Sequence, residues 1–151
     1  MTHSVEGHPY TDCGLDNVVL VGLELLNDHA QEKVIKISHI NKLHRLIAQI
    51  LAEKPSALAP KELRFLRTEL GLTQGELAVL VHKDHQTVGR WERDETPIDP
   101  TAETIVRMLV LEMVGQTLSV QEVSKRAVQA GGPWVIRIDA HDPSEYRKIA
   151  A

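Results

Sequence analysis

A mainly α fold with a small N-terminal α+β segment is what this sequence predicts, and three stretches predict it. Residues 70–94 (LGLTQGELAVLVHKDHQTVGRWERD) read as two short capped helices around a tight turn. Residues 100–114 are apolar at almost every turn, the pattern of a helix covered on several sides. Residues 18–37 carry short β-branched runs punctuated by turn residues. At 151 residues the chain suffices for one compact domain or two small ones.

From the front, residues 1–14 hold Gly, Pro, His and Thr without periodicity and are expected to form a tail. Val18 to Leu26 (VVLVGLELL) and Lys33 to Ile37 (KVIKI) read as two strands. Asn27-Asp28-His29 between them is turn-rich, which makes a hairpin. At Ile40 the period changes. Ile40, Leu43, Ile47, Ile50 and Leu51 fall on one helical face that ends near Glu53, before Lys54-Pro55. The loop Lys54 to Ala59 is the expected boundary. Three parts follow: 1–55, a hairpin plus helix and partner or dimer region; 56–115, the central helical domain; and 116–151, a C-terminal helix and strand extension.

Pro60 opens a helix over Lys61 to Leu70, with Leu63, Leu66 and Leu70 as its stripe and Phe65 beside them. Thr73 is an N-cap, and Glu76 three residues later completes a capping box. The helix then runs from Gln74 to about Val81, with Leu77, Ala78 and Val81 on one face. Asp84 caps the next helix, His85 to about Arg93. Val88 and Trp91 point inward there and leave His85, Gln86, Gly89, Arg90 and Arg93 on the outer faces. This is the layout of a helix-turn-helix, which sets its second helix in the major groove of double-stranded DNA.

Through Leu70-Gly71-Leu72-Thr73-Gln74, Glu76-Leu77-Ala78, Gln86-Thr87-Val88 and Arg90-Trp91-Glu92, the stretch from about Pro60 to Val114 resembles the Cro/XRE-like helix-turn-helix regulators of bacteria and phage. With Glu62-Leu63-Arg64-Phe65-Leu66-Arg67 ahead of the motif, it is similar to the DNA-binding half of MqsA-type antitoxins. Gly14-Leu15-Asp16-Asn17-Val18 also resembles the front end of such proteins. The resemblance implies a lambda-repressor-like helical bundle acting as a transcriptional regulator of the XRE family. It further implies a repressor that binds a palindromic operator as a homodimer. An antitoxin that masks a protein toxin through residues 1–55 and autoregulates its operon is the alternative.

Two departures from the family pattern carry a conformational expectation. His82 stands at the usual turn glycine and Asp94 at the usual closing glycine. Both positions commonly need φ > 0, which His and Asp tolerate better than most residues with a side chain. Gly89 costs the recognition helix about 1 kcal/mol against Ala. Either its bareness lets the helix approach the bases, or the position simply tolerates it. The paired CxxC motifs of the MqsA-type zinc domain are missing, since Cys13 is the one cysteine.

In the major groove, Arg pairs bidentately with guanine O6/N7, and Gln with adenine N6/N7. Arg90 is therefore assigned to a guanine and Gln86 to an adenine; four apart, they share a helix face. His85, at the helix start, is placed to reach a base or a phosphate. The backbone N–H groups of Thr73 and Gln74 suit a phosphate, and Thr87, Lys83 and Arg93 are further phosphate candidates. A plain solvated surface is the competing account of each.

Composition sets limits on this. The formal charge is −4, from 17 Lys and Arg against 21 Asp and Glu. Non-specific DNA affinity should therefore be weak and salt-sensitive, leaving base contacts and subunit pairing to carry binding. The lone cysteine fits a reducing, cytoplasmic setting. No apolar run has the length of a signal peptide or a membrane span. The eight histidines give no ligand spacing: His39 and His44 are five apart, and His82 and His85 straddle the turn, so neither metal nor cofactor is expected. GxSxG, P-loop and dinucleotide patterns are absent, which argues against an enzyme.

Beyond the motif, Asp99 and Pro100 cap and open a helix to about Val114. Ile105, Val106, Met108, Leu109, Val110, Leu111, Met113 and Val114 make it apolar almost all round. One face should cover the DNA-binding helices and another should meet a symmetry mate, unless the C-terminal segment covers it within the chain. Ser119 caps a helix from Val120 to Gln129, ended by Gly131-Gly132-Pro133. Trp134 to Asp139 alternates as a strand, to pair with the N-terminal hairpin or with a partner's sheet.

Overall fold

The computed structural model describes residues 3–5, 7–27, 33–35 and 37–149. Among them are six helices and two small sheets, a mainly α chain with a small α+β segment. The chain divides into two compact units, Met1–Ile47 with Pro133–Ala151, and Ala48–Gly132. Among the described residues, no helix is long and apolar enough to cross a membrane.

The first unit carries the strands β1 (His3–Val5), β2 (His8–Pro9), β3 (Val18–Val21), β4 (Leu23–Asn27) and β5 (Lys33–Ile35), then the start of α1 (Ile40–Ala52). β4 and β5 pair antiparallel, Leu26 opposite Val34, so the expected hairpin forms. Residues 28–32 between them lie outside the described residues. The run from Val18 to Leu26 is nevertheless not one strand. It breaks at Gly22, whose φ is +87°. A Cβ at Gly22 would collide with the ring of His141, so only glycine allows that ring against the backbone. Upstream of the break, β3 joins a second sheet.

That sheet has the order β2-β3-β6-β7, with β6 (Ile136–Asp139) and β7 (Arg147–Lys148) from the end of the chain. β6 lies parallel to β3, Leu20 opposite Ile138. The C-terminal strand thus pairs within the chain, on the leading part of the expected hairpin. The described residues among 1–14 are not a tail either. β1 pairs with β4, Ser4 opposite Glu24, and β2 with β3, His8 opposite Leu20. Strands this short pair through their backbones and need no side-chain alternation. Pro9 is tolerated because β2 is an edge strand. Leu15, Val18, Leu20, Ile136 and Ile138 are buried here, and the Tyr10 hydroxyl meets His44 Nε2 at 2.7 Å. Ile40, expected on the buried stripe of α1, is exposed, whereas Leu43 and Ile47 are buried.

The second unit holds α2 (Pro60–Glu69), α3 (Gln74–Leu80), α4 (His85–Glu92), α5 (Pro100–Val114) and α6 (Val120–Ala127). Its core includes Leu51, Leu63, Leu66, Leu77, Val88, Val106, Val110, Leu111 and Val123, all buried. Ser119 Oγ accepts the Glu122 N–H at 3.1 Å and starts α6, which ends at Ala127 rather than Gln129. Asp99 sits at the N-cap of α5 without a side-chain cap bond, and Pro100 follows at the first position.

α5 packs against α2 and against α6, so one face covers the central helices as expected and the C-terminal segment covers another within the chain, the alternative the sequence left open. Ile105, Met108 and Leu109 remain half-buried rather than forming an open face. Nor is the helix apolar throughout: Glu103 and Arg107, one turn apart, are 1% and 0% exposed. Arg107 Nη1 donates to Glu103 Oε2 at 3.1 Å, and Nη2 donates to the carbonyls of Lys54 at 2.6 Å and Ser56 at 3.0 Å. It also reaches the Leu51 carbonyl at 3.4 Å, at the end of α1. A five-donor guanidinium is the side chain suited to gathering several carbonyls in one place. Nearby, Lys54 Nζ donates to Glu62 Oε1 at 2.7 Å, and both residues are buried. Burial pushes the Glu103 carboxyl up to about 7, against the lowering effects of the Leu58 N–H and Arg107.

Candidate nucleic-acid interface

The helix-turn-helix starts from local capping. Thr73 Oγ1 accepts the Glu76 N–H at 3.1 Å, and Glu76 Oε1 accepts the Thr73 N–H at 3.1 Å. The reciprocal box starts α3 and lowers the Glu76 pKa. At the turn, His82 adopts φ +60° and Lys83 N–H bonds back to the Ala78 carbonyl at 2.9 Å. Asp84 then caps α4: its Oδ1 accepts the Thr87 N–H at 2.8 Å and the Thr87 hydroxyl at 2.9 Å, which lowers the aspartate pKa. Past α4, Asp94 takes φ +59° and Glu95 N–H bonds to the Arg90 carbonyl at 2.9 Å. The two positions expected to require φ > 0 both have it, and each closes its helix with a bond back to the preceding turn.

Packing then fixes the angle between the helices. Leu77, Ala78 and Val81 of the first helix and its turn are buried, as are Val88 and Trp91 of the second. A polar clamp beneath them was not foreseen. Arg67 of α2 reaches Glu92 of α4 through two bonds, Nε to Oε2 at 2.6 Å and Nη2 to Oε1 at 2.9 Å. Its Nη1 holds the Leu72 carbonyl at 2.9 Å, and Gln74 Nε2 donates to Glu92 Oε1 at 3.1 Å. The side chains of Arg67 and Glu92 are 13% and 4% exposed, so the pair is shielded and bidentate, the strong form of such contacts. A signal for it was present. Arg67 lies four residues after Leu63 and Glu92 four after Val88, on the buried stripes of their helices.

The outward side of α4 is concave. Gln74, His85, Gln86, Gly89, Arg90 and Arg93 line an open depression of about 500 Å³. Six of the nine expected contact residues thus converge. His85, Gln86, Arg90 and Arg93 are exposed. Gly89 lies on that outward side but is buried as the floor of the depression, where an added Cβ would lie 2.9 Å from Arg93 Nη1 and 3.5 Å from Gln74 Oε1. Arg93 pairs with Glu95 through Nε at 3.1 Å and Nη2 at 3.0 Å, which raises the arginine pKa further.

Thr73, Thr87 and Lys83 lie outside the depression. The Thr73 N–H, expected to face a phosphate, is turned back onto Glu76. The Thr87 hydroxyl is directed to Asp84. Lys83 is exposed on the turn. Among the described residues, no group of three or more His, Cys, Asp or Glu has the arrangement of a metal site.

No curated protein and no solved structure matches the chain. Residues 63–110, from Leu63 in α2 through α3 and α4 to Val110 in α5, do match the family model described as helix-turn-helix.

Proposed function

We propose that this chain is a sequence-specific DNA-binding regulator of transcription, with residues 56–115 as its DNA-binding part. One observation carries the reading. Gln86 and Arg90 stand exposed side by side, opposite the buried Val88 and Trp91, on the second helix of a helix-turn-helix. That helix enters the major groove, where Arg90 reads a guanine and Gln86 an adenine. His85 and Arg93 flank them, and Lys83 on the turn and the backbone N–H of Gln74 face the phosphates. The acidic net charge makes these few contacts decisive.

Selection of bound duplexes from random DNA, followed by anisotropy titration, tests this. Arg90→Ala and Gln86→Ala should each weaken the selected site by about 1–3 kcal/mol and relax the base preference at one position. Unchanged affinity for both variants would overturn the docking.

Repression of a palindromic operator by a homodimer is the finer form of this proposal. Ile105, Met108 and Leu109 of α5 are only half-buried within the chain, and the apolar area they leave uncovered favours pairing. Two recognition helices would then lie about one DNA turn apart. Sedimentation of a pure monomer at micromolar concentration, with or without operator, would exclude it. The antitoxin reading is favoured by one feature, the separate sheet-bearing unit that DNA contact does not use. A protein toxin retained by the chain after Arg90→Ala has removed DNA binding would establish that role.

A further inference from the structure

We propose that the cleft formed by the start of α2, the segment after α4 and the first turns of α5 binds a small organic ammonium ion. The cleft measures about 260 Å³, and Leu58, Asp94, Thr96, Pro97, Ile98 and Glu103 are among its lining residues. Its base is a carboxylate with an unused oxygen. Glu103 is 1% exposed, and its Oε2 accepts from Leu58 N–H at 3.0 Å and Arg107 Nη1 at 3.1 Å. Among the described residues, Oε1 accepts no hydrogen bond. It is not sealed either, because the one sealed side-chain nitrogen or oxygen without a partner among the described residues is Arg107 Nε. Oε1 therefore opens to the cleft that Glu103 lines.

The walls define the rest of the ligand. Leu58, Pro97 and Ile98 are apolar, while Asp94 and Thr96 at the exposed rim supply further oxygens. No basic side chain lines the cleft. The cations near Glu103 leave Oε1 untouched: Arg107 takes Oε2 and three carbonyls, Lys54 reaches Glu62 at 2.7 Å, and Arg126 reaches Glu122 at 2.9 Å and the Glu53 carbonyl at 2.6 Å. Two carboxylates around an apolar wall call for a donor-rich positive head on a short hydrocarbon body. The volume equals about nine waters at roughly 30 Å³ each, enough for a short alkylamine and too small for most drug-sized ligands.

Protonation supports the same chemistry. Burial raises Glu103 to about 7, Leu58 N–H, Arg107 and Lys54 oppose that rise, and Glu62 adds to it. A bound ammonium holds the carboxylate ionised, so binding strengthens as pH rises through that value. Asp94 is also the left-handed residue that closes α4. Any effect of the ligand on operator affinity rests on the DNA-binding reading; binding itself does not.

Titration of n-butylammonium chloride into the full chain, followed through the amide resonances of Leu58, Asp94 and Thr96, tests the site without DNA. Saturable shifts are expected, with n-butanol at least about tenfold weaker. Glu103→Gln should weaken binding about tenfold or more. Because that change also touches Arg107, Thr96→Trp at the exposed rim serves as the second variant. It should abolish the shifts while keeping the native spectrum. No saturable shift in the unaltered chain, an equal response to the alcohol, or full binding by Thr96→Trp would each overturn the proposal.

Discussion

Arg90 on α4 and Arg107 on α5 belong to one compact unit, yet the two helices use the same side chain in opposite ways. Arg90 is exposed, and its guanidinium makes no hydrogen bond among the described residues. Arg107 is 0% exposed and donates to Glu103 and three backbone carbonyls. A guanidinium kept for an external ligand must leave its donors unfilled and stay in water until the ligand arrives. A guanidinium that builds the fold fills most of them, here all but Nε, because an unpartnered charge inside a protein is among the costliest defects. Arg67 stands between these cases. It is shielded and fully engaged, but its partner, Glu92, lies on the back of the recognition helix, so it orients the face that Arg90 presents.

The contrast breaks most readily at Arg107. Arg107→Ala strands Glu103 and the carbonyls around residue 54, and should cost about 3–5 kcal/mol in urea denaturation. Arg90→Ala should shift stability by no more than about 0.5 kcal/mol. Similar losses from both would erase the distinction.

Glu103 sharpens it through pH. Its folded pKa, about 7, exceeds the ordinary carboxylate value of 4.5, so between these values the folded state binds more protons than the unfolded one. The stabilisation from Glu103 is complete below 4.5 and is lost as pH rises through about 7. Glu103→Gln should remove that part of the slope when melting temperatures of the two proteins are compared across the window. Parallel curves would mean that the carboxyl does not titrate there.

The smallest effect belongs to the floor of the depression. Gly89→Ala should gain up to about 1 kcal/mol of helix stability. Part of that is offset by displacing Arg93, whose Nη1 would lie 2.9 Å from the new methyl. Operator affinity should fall as the floor rises. Stabilisation with unchanged DNA binding would leave simple tolerance as the account of this glycine.

Features encoded within a few residues were legible in the sequence. The Thr73–Glu76 box, the Asp84 and Ser119 caps, and Pro60 and Pro100 at first helical positions follow from local chemistry, while φ > 0 at His82 and Asp94 follows from the resemblance, which puts glycine at both positions. Val88 and Trp91 followed from helical spacing. Contacts made across the chain were not legible. Arg67 and Glu92 are 25 residues apart, and Arg107 meets carbonyls more than 50 residues away. Each looks like a surface charge unless its place on a buried stripe is weighed above its residue type. β1 and β2 are too short for periodicity to mark. The burial of Gly89 beneath Arg93 and Gln74 is equally illegible, because a residue without a side chain gives no sign of what lies over it.

The parallel pairing of β3 with β6 has a consequence for how the molecule is made. Residues 18–21 leave the ribosome well before residues 136–139 are synthesised, and the whole helical unit is translated between them. Helices 60–127 close mostly short-range contacts and can assemble as they emerge, whereas β3 must wait with one edge bare. A nascent chain stalled ahead of Ile136 therefore offers an unpaired strand to its neighbours, the kind of edge on which aggregation is seeded.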